Sequence, residues 1–500
     1  MDVLHELIRS MSMAERSYFK RYASKLRDDS STNYIQLFDA IALQEEYQEA
    51  ALRKKFAKEK FVRQFSVAKT YLYKTIIKAL RNFYEESNIL SQLKNLQLEL
   101  SVLMDRGIYT QAHKVIQRGV VLAKEFEMFS DLNEFLAAEL YLLMNNYEPA
   151  GRTRTVELII KEHRETGLKN QNLVEFENLY QQQHRLNKAV YQLRDEKQLE
   201  QYNAIFNNPI LNHPRQALSS RALYCFHFIR SLHFSVTDRR KDFLSETQKL
   251  VSVCFNSRHF KVYDLRGYMN ALNLLLEASY FSADWKTMNE ALKKLKELPV
   301  KTDRDKMAQF IYYSRFGLIY FDQQKNEKAK RALIDESWKN IQRFEKKIPY
   351  HIRVSTMVTY SSALIEMGEY TRALDWIELY RQGKKEDEAR FDVQIILMML
   401  QLIAHYELNN LLLVKNIVPN ISRFIRKVGQ QSKFERVVLS FFGKLTSSKS
   451  LTEKVFEETL HELNTLKQGD VLSRNRTMHD IFRVFIESKK QKKKYHQMLS

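Results

Sequence analysis

Residues that punctuate structure are scarce: 11 glycines and 6 prolines stand among 500 residues, against a combined share of about 12% in ordinary proteins. Sheets, hairpins and irregular loops draw their turns from those residues. A βαβ enzyme of this length is therefore very hard to build, collagen-like, disulfide-scaffold and low-complexity classes are excluded, and the expected class is all-α. Cys225 and Cys254 are the only cysteines. Two thiols build neither a disulfide framework nor a thiolate metal cluster, and they fit a reducing compartment. No run of eighteen apolar residues occurs; the richest stretch, Ile395 to Ala404, is ten long and contains Gln401. The opening Met1-Asp2-Val3-Leu4-His5-Glu6 carries acids and no apolar region of signal-peptide type. The expectation is a soluble, cytoplasmic protein without a transmembrane segment.

Catalytic signatures are missing too. Neither Gly-x-Gly-x-x-Gly nor Gly-x-Ser-x-Gly occurs. Gly443-Lys444 is followed by Leu445 where a phosphate loop needs Ser or Thr, and Val438 stands at the first glycine's place. His5-Glu6 and His461-Glu462 open a metalloprotease pattern that Arg9 and Thr465 break. Tyr224, Cys225, His227 and His233 come nearest to a metal constellation. On a helix, however, His233 lies off the face shared by Tyr224 and His227, so these histidines read as packed core side chains. Glu85-Glu86 and Glu457-Glu458 point about 100° apart on a helix and read as solvated faces. The expectation is a non-enzyme with no cofactor and no metal.

What the chain does have is positive charge and aromatic rings. Eighty Lys and Arg face 60 Asp and Glu, a formal +20. Phe61 to Tyr84 carries Arg63, Lys69, Lys74, Lys78 and Arg81 with no acid, beside Tyr71, Tyr73 and Tyr84. Lys74, Lys78 and Arg81 share one helical stripe. Residues 411–450 hold eight basic side chains against the single Glu435, and Lys489, Lys490, Lys492, Lys493 and Lys494 crowd the C-terminal end. Such fields attract nucleic acid, anionic lipid or acidic protein surfaces, and they also simply keep a protein soluble.

A turn pattern recurs along the chain. At Gly107-Ile108-Tyr109-Thr110-Gln111-Ala112 and Gly368-Glu369-Tyr370-Thr371-Arg372-Ala373, glycine suits the left-handed residue that ends a helix. The aromatic and the small alanine three residues on then face inward on the next helix. Weaker copies stand at Asn146-Tyr147-Glu148-Pro149-Ala150, Ala283-Asp284-Trp285, Lys325-Asn326-Glu327-Lys328-Ala329 and Asn410-Leu411, with a further unit expected around Thr237 to Phe243. Taking Tyr109, Tyr147, Trp285, Asn326, Tyr370 and Leu411 as equivalent markers gives spacings of 38, then a gap, then 41, 44 and 41. Helix pairs that cannot bury their apolar faces alone stack on their neighbours.

These turns, with Phe316-Gly317-Leu318-Ile319-Tyr320 followed by Ala329, resemble the tetratricopeptide repeat over roughly residues 90–420. The period departs from that family's 34 residues, and the repeat-ending proline is matched only at Pro299 and Pro349. The resemblance implies an α-solenoid of antiparallel helix pairs whose groove holds a peptide. The opening differs. Ser12 and Glu15 have capping-box spacing, Ser31 or Thr32 is placed to cap a helix from Tyr34 to Gln44, and a long helix is expected from Val62 to Glu86. Leu7-Ile8-Arg9-Ser10, Ala14-Glu15-Arg16-Ser17-Tyr18-Phe19-Lys20, Leu37-Phe38-Asp39-Ala40-Ile41 and the Phe61 to Arg81 helix are similar to a group of helical-repeat proteins from Bacteroidetes-type bacteria. No activity follows from that likeness.

The expected organisation is an N-terminal helical subdomain (1–90), a repeat solenoid (91–445), capping helices (446–488) and a basic tail (489–500). Asn207 to Pro214 and Lys384 to Glu388 are further candidate breaks. The first functional reading is a protein–protein interaction scaffold that takes an extended or helical, acidic partner segment into a concave groove. The second is a nucleic-acid-associated regulator that touches phosphate through the Arg63 to Arg81 helix and the lysine run.

Overall fold

The computed structural model describes residues 2–25, 31–85, 88–145, 147, 154–189, 196–344, 350–381, 391–428, 432–447, 452–469 and 476–498. Every secondary-structure element among them is helical. They form two compact units, Met1–Gln171 and Asn172–Ser500.

The first unit opens with α1 (Val3–Ser10), α2 (Met13–Lys25), α3 (Ser31–Ala42), α4 (Glu49–Lys55) and α5 (Phe65–Phe83). They enclose a core that includes Leu4, Ile8, Phe19, Phe38, Ile41 and Leu72. The Ser12 capping box is present: Glu15 N donates to Ser12 Oγ at 3.3 Å, and Ser12 N to Glu15 Oε2 at 2.6 Å. Ser31 and Thr32 are the first two residues of α3, which starts before the expected Tyr34. The helix expected from Val62 starts later, after a 3-10 turn over Lys60–Gln64. Ala68, Thr75 and Ala79 join Phe65, Leu72 and Ile76 on its buried face, where short side chains let α2 pack closely. α6 (Ile89–Asp105), α7 (Tyr109–Glu125) and α8 (Phe129–Met144) pack in succession around a separate core of Leu93, Ile116, Phe135 and Leu136. The expected break at residue 90 thus separates two cores, both within the first unit. α9 (Val156–Ala189) follows, and the division between the units falls inside it.

The second unit continues with α10 (Glu196–Phe206), α11 (Ser220–Val236), α12 (Arg240–Asn256), α13 (Leu265–Phe281), α14 (Trp285–Glu297), α15 (Asp303–Gln323) and α16 (Glu327–Phe344). After these come α17 (Tyr350–Glu366), α18 (Tyr370–Arg381), α19 (Phe391–Glu407), α20 (Leu411–Val428), α21 (Lys433–Ser447), α22 (Glu453–Gly469) and α23 (Arg476–Lys490), closed by a 3-10 turn at Tyr495–Met498. From α11 to α16 and from α17 to α20 each helix packs on the next, α16 meets α17 where Tyr360 Oη donates to Ser337 Oγ at 2.7 Å, and α11, α13, α15, α17 and α19 also touch one another in order. This is a stack of helix pairs. Asn207 to Pro214 forms short 3-10 turns within this unit and separates nothing.

One backbone device joins the pairs. After the first helix a residue enters the left-handed region: Gly107 (φ 69°), Asp238 (56°), Ala283 (52°), Lys325 (53°), Gly368 (75°) and Asn409 (61°). The next amide then reaches back to a carbonyl in the helix's last turn, as in Ile108 N to Leu103 O (3.0 Å), Asp284 N to Ser279 O (2.9 Å) and Glu369 N to Leu364 O (2.8 Å). That is the Schellman closure. Tyr109, Trp285, Tyr370 and Leu411 are the first residues of α7, α14, α18 and α20, and Asn326 immediately precedes α16. Tyr147 begins no helix; its amide bonds to Leu142 O, and the next described helix starts at Val156. Ala150, Pro349 and Lys384 to Glu388 lie outside the described residues. Ala112 and Ala373 are fully buried, and Gly317 lies so near Leu333 that a Cβ there meets its side chain at 3.1 Å. Trp285, Tyr320 and Ala329 are half-buried.

Candidate interaction surfaces

The cations of the α5 region divide into two kinds. Lys69 is an internal strut: its ammonium pairs with Asp2, lies 3.3 Å from Glu49 Oε2, and sits 4.6 Å from the Tyr47 ring centre. Burial works against its charge, but hydrogen bonds with Asp2 and Tyr47 raise its pKa above the usual lysine range. It is therefore removed from the expected polyanion surface. Arg63, Lys74, Lys78 and Arg81 are exposed, and no ion pair holds any of them among the described residues. The three tyrosines diverge as well. Tyr71 packs on Tyr34 with ring centres 4.6 Å apart, and Tyr84 donates to Glu15 Oε1 at 2.7 Å. Tyr73 stays 37% exposed next to Lys74, the one ring of the three free to stack against a ligand.

The C-terminal lysines divide in the same way. α23 runs through Lys489 and Lys490. Lys489 Nζ meets Glu407 Oε1 at 2.5 Å, with their side chains only 10% and 2% exposed, and it lies over the rings of Tyr406 and Phe485. Lys490 Nζ reaches Glu457 at 3.0 Å and Glu453 at 3.2 Å, and those hydrogen bonds raise its pKa. Beyond them Tyr495 is buried and its amide donates to Glu407 Oε1 at 3.1 Å. His496 Nδ1 lies 3.0 Å from Tyr370 Oη, against the Gly368 turn. The segment expected as a free basic tail is thus packed on α17 to α19 by burial and by a charge hidden beneath it. Only Lys492, Lys493 and Lys494 remain exposed and without an ion pair among the described residues.

The Tyr224 to His233 group is structural. Tyr224 Oη donates to Gly267 O at 3.1 Å. His227 Nδ1 lies 2.9 Å from Glu246 Oε1, which Arg230 Nε also reaches at 2.9 Å. Burial opposes that carboxylate's charge, yet His227 and Arg230 hold its pKa below the usual range. His233 Nε2 bonds Asn203 at 2.9 Å and stacks on Phe206 at 3.8 Å; burial, with Arg239 and Arg230 adding to it, pushes its pKa down to about 4. Burial pushes the Cys225 thiol up to about 12, far from thiolate reactivity. No group of three or more His, Cys, Asp or Glu able to hold a metal ion occurs among the described residues, and none of the described helices is long and apolar enough to cross a membrane.

Between successive first helices the second unit carries a ladder of polar contacts. Arg221 pairs with Glu177 at 2.8 Å, Arg266 with Asp305 at 2.7 Å, and Tyr312 Oη donates to Asn270 Oδ1 at 3.2 Å. Within that stack Lys330, 4% exposed, is held by Asp322 at 2.5 Å and Glu366 at 3.4 Å, a buried charge that nothing in the local sequence signals.

No family model matches this chain, and no curated protein or solved structure matches it either.

Proposed function

We propose that the chain is a non-enzymatic, tetratricopeptide-like interaction scaffold of the bacterial cytoplasm, holding an extended or helical segment of an acidic protein partner. The observation that supports this reading is the order of contacts in the second unit. Each pair from α11 to α20 packs on its neighbours, and the first helices touch in series, so a run of side chains from successive first helices is presented along one surface. Such surfaces take peptides and helices, and a +20 chain attracts an acidic one. Affinity comes from a few aromatic and arginine anchors, while the cations set association rate and salt dependence. The test is an affinity pull-down from lysate at moderate salt, split into nuclease-treated and untreated halves. A discrete protein that survives nuclease is the expected result; recovery of nothing but nucleic acid and its passengers defeats the reading.

A second reading rests on one observation: Arg63, Lys74, Lys78 and Arg81 are exposed on and beside α5 without a carboxylate among them. In this reading that face contacts a phosphate backbone. Four phosphate contacts predict that affinity for a duplex falls roughly a hundredfold between 50 and 200 mM salt. A flat salt response removes this alternative.

A further inference from the structure

A cavity of about 1120 Å³ opens beside α21, α22 and α23 and the residues that follow α23. It exceeds the range of roughly 300–1,000 Å³ typical of small-molecule pockets. Its walls are of two kinds. Tyr406, Leu445, Phe456 and Leu460 supply an apolar floor, and Lys492, Lys493 and Lys494 supply a cationic rim. The other charged groups lining it are paired, Lys489 with Glu407, Lys490 with both Glu453 and Glu457, and Glu487 with Arg483, so one carboxylate is left over against the three lysines. The rim is left with net positive charge.

The rim is also fixed in place. Lys492 takes φ 55°, its amide reaches Lys489 O at 3.1 Å, and the Lys493 amide reaches Ser488 O at 2.8 Å. Lys489 Nζ donates to Lys493 O at 2.9 Å, and Lys494 N to Gln497 Oε1 at 2.9 Å. With Tyr495 buried just beyond, the backbone of this loop has lost its freedom before any partner arrives, which favours binding.

We propose that this pocket docks an acidic segment of a protein partner, with carboxylates on Lys492, Lys493 and Lys494 and an aliphatic or aromatic side chain on the Leu445–Phe456–Leu460 floor. The proposal rests on the scaffold reading and names one place where it acts. Duplex nucleic acid fits less well, because its bases are already stacked and its sugar–phosphate exterior gains nothing from an apolar floor. The oligonucleotide arm of the test addresses a single strand that could stack its bases there. A bilayer surface fits less well, because the lysines line a concavity and not a flat face.

The test is fluorescence anisotropy of the full chain with a labelled octapeptide of glutamates interrupted by one leucine and one phenylalanine. Binding should weaken at least about tenfold in the triple variant Lys492→Gln/Lys493→Gln/Lys494→Gln, at roughly 0.5–1 kcal/mol per rim charge. The melting temperature should not move, since these side chains make no ion pair. Binding should weaken also when serines replace the probe's leucine and phenylalanine. The proposal is overturned if a glutamine version of the probe binds equally well, or if the triple variant keeps full affinity. Tighter binding of an equally charged oligonucleotide or of phosphatidylserine vesicles, abolished by the triple variant, overturns it as well. If the probe fails while wild type and triple variant capture the same protein from lysate, the pocket assignment falls and the scaffold reading stands.

Discussion

Replacing Lys489 by Met tests whether the C-terminal residues belong to the fold. Lys489 and Glu407 are a nearly buried pair, 10% and 2% exposed. Removing one partner of such a pair costs about 3–5 kcal/mol, because the remaining charge is left desolvated and unpaired. Here Glu407 keeps one hydrogen bond, from the Tyr495 amide at 3.1 Å, so the low end applies and Lys489→Met should destabilise by about 3 kcal/mol. The double variant Lys489→Met/Glu407→Leu removes both charges and leaves the Tyr495 amide without its acceptor, a cost of about 1 kcal/mol. The double variant should therefore be more stable than the single one. Urea unfolding followed by circular dichroism measures both differences. If Lys489→Met costs less than about 0.5 kcal/mol, the value ordinary for a surface position, then Lys489 behaves as a free tail cation and the packing described for Tyr495 and His496 is wrong.

Other outcomes follow from the turns and from one histidine. Gly107→Ala meets no neighbour within 4 Å and should lose only the left-handed backbone preference, about 1 kcal/mol. Gly368→Ala places a Cβ 2.8 Å from His496 Nδ1 and should lose visibly more; equal losses by urea titration would contradict the docking of His496. Ala283→Gly, at an exposed left-handed position (φ 52°), should instead stabilise by about 0.5 kcal/mol, and a drop in melting temperature would refute the turn assignment. His233 has a folded pKa near 4 against 6.5 for the free side chain. Its unfolded form binds the proton first, so its contribution is intact above pH 6.5 and is lost as pH falls toward 4, reaching up to about 3 kcal/mol. In His233→Gln this part of the acid slope should vanish from stability measured at pH 4 and pH 7; an unchanged slope assigns acid sensitivity elsewhere.

The helical class was legible because turn residues are compositional: with so few glycines and prolines, only helices can use up the chain. The repeat was legible where its turns contained the residue that physics prefers, at Gly107 and Gly368, or where an inward aromatic marked the next helix, as at Trp285. Between α7 and α8 the left-handed position is filled by Glu127, a residue no turn rule selects, so that reversal went unseen. A cap would have helped: Asn326 Oδ1 accepts from Ala329 N at 3.0 Å, and Asp284 Oδ1 from Thr287 N at 3.0 Å. Ser432 and Glu435 repeat the Ser12–Glu15 box, with bonds of 2.9 and 3.1 Å, and mark the start of α21 as plainly as the first box marks α2.

Charge is where reading along the chain misleads most. A run of cations looks like a binding surface because the sequence shows neighbours and hides partners. Lys69 is held by Asp2, Lys489 by Glu407 and Lys330 by Asp322 and Glu366, partners that folding brings alongside from elsewhere in the chain. The Asp2 and Glu407 carboxylates are themselves poorly exposed, so the work of Lys69 and Lys489 is to neutralise them, and those pairs are lost to any external ligand. What remains for a partner includes exposed cations that no carboxylate reaches among the described residues, such as Arg63, Lys74, Lys78 and Arg81 in the first unit and Lys492 to Lys494 in the second. The second set borders a cavity with an apolar floor. An exposed run of charge attracts polyanions without sequence or partner selectivity, whereas charge around a concave apolar surface selects for a ligand that carries both features. That difference ranks the C-terminal pocket above the α5 stripe as the place where this chain recognises something in particular.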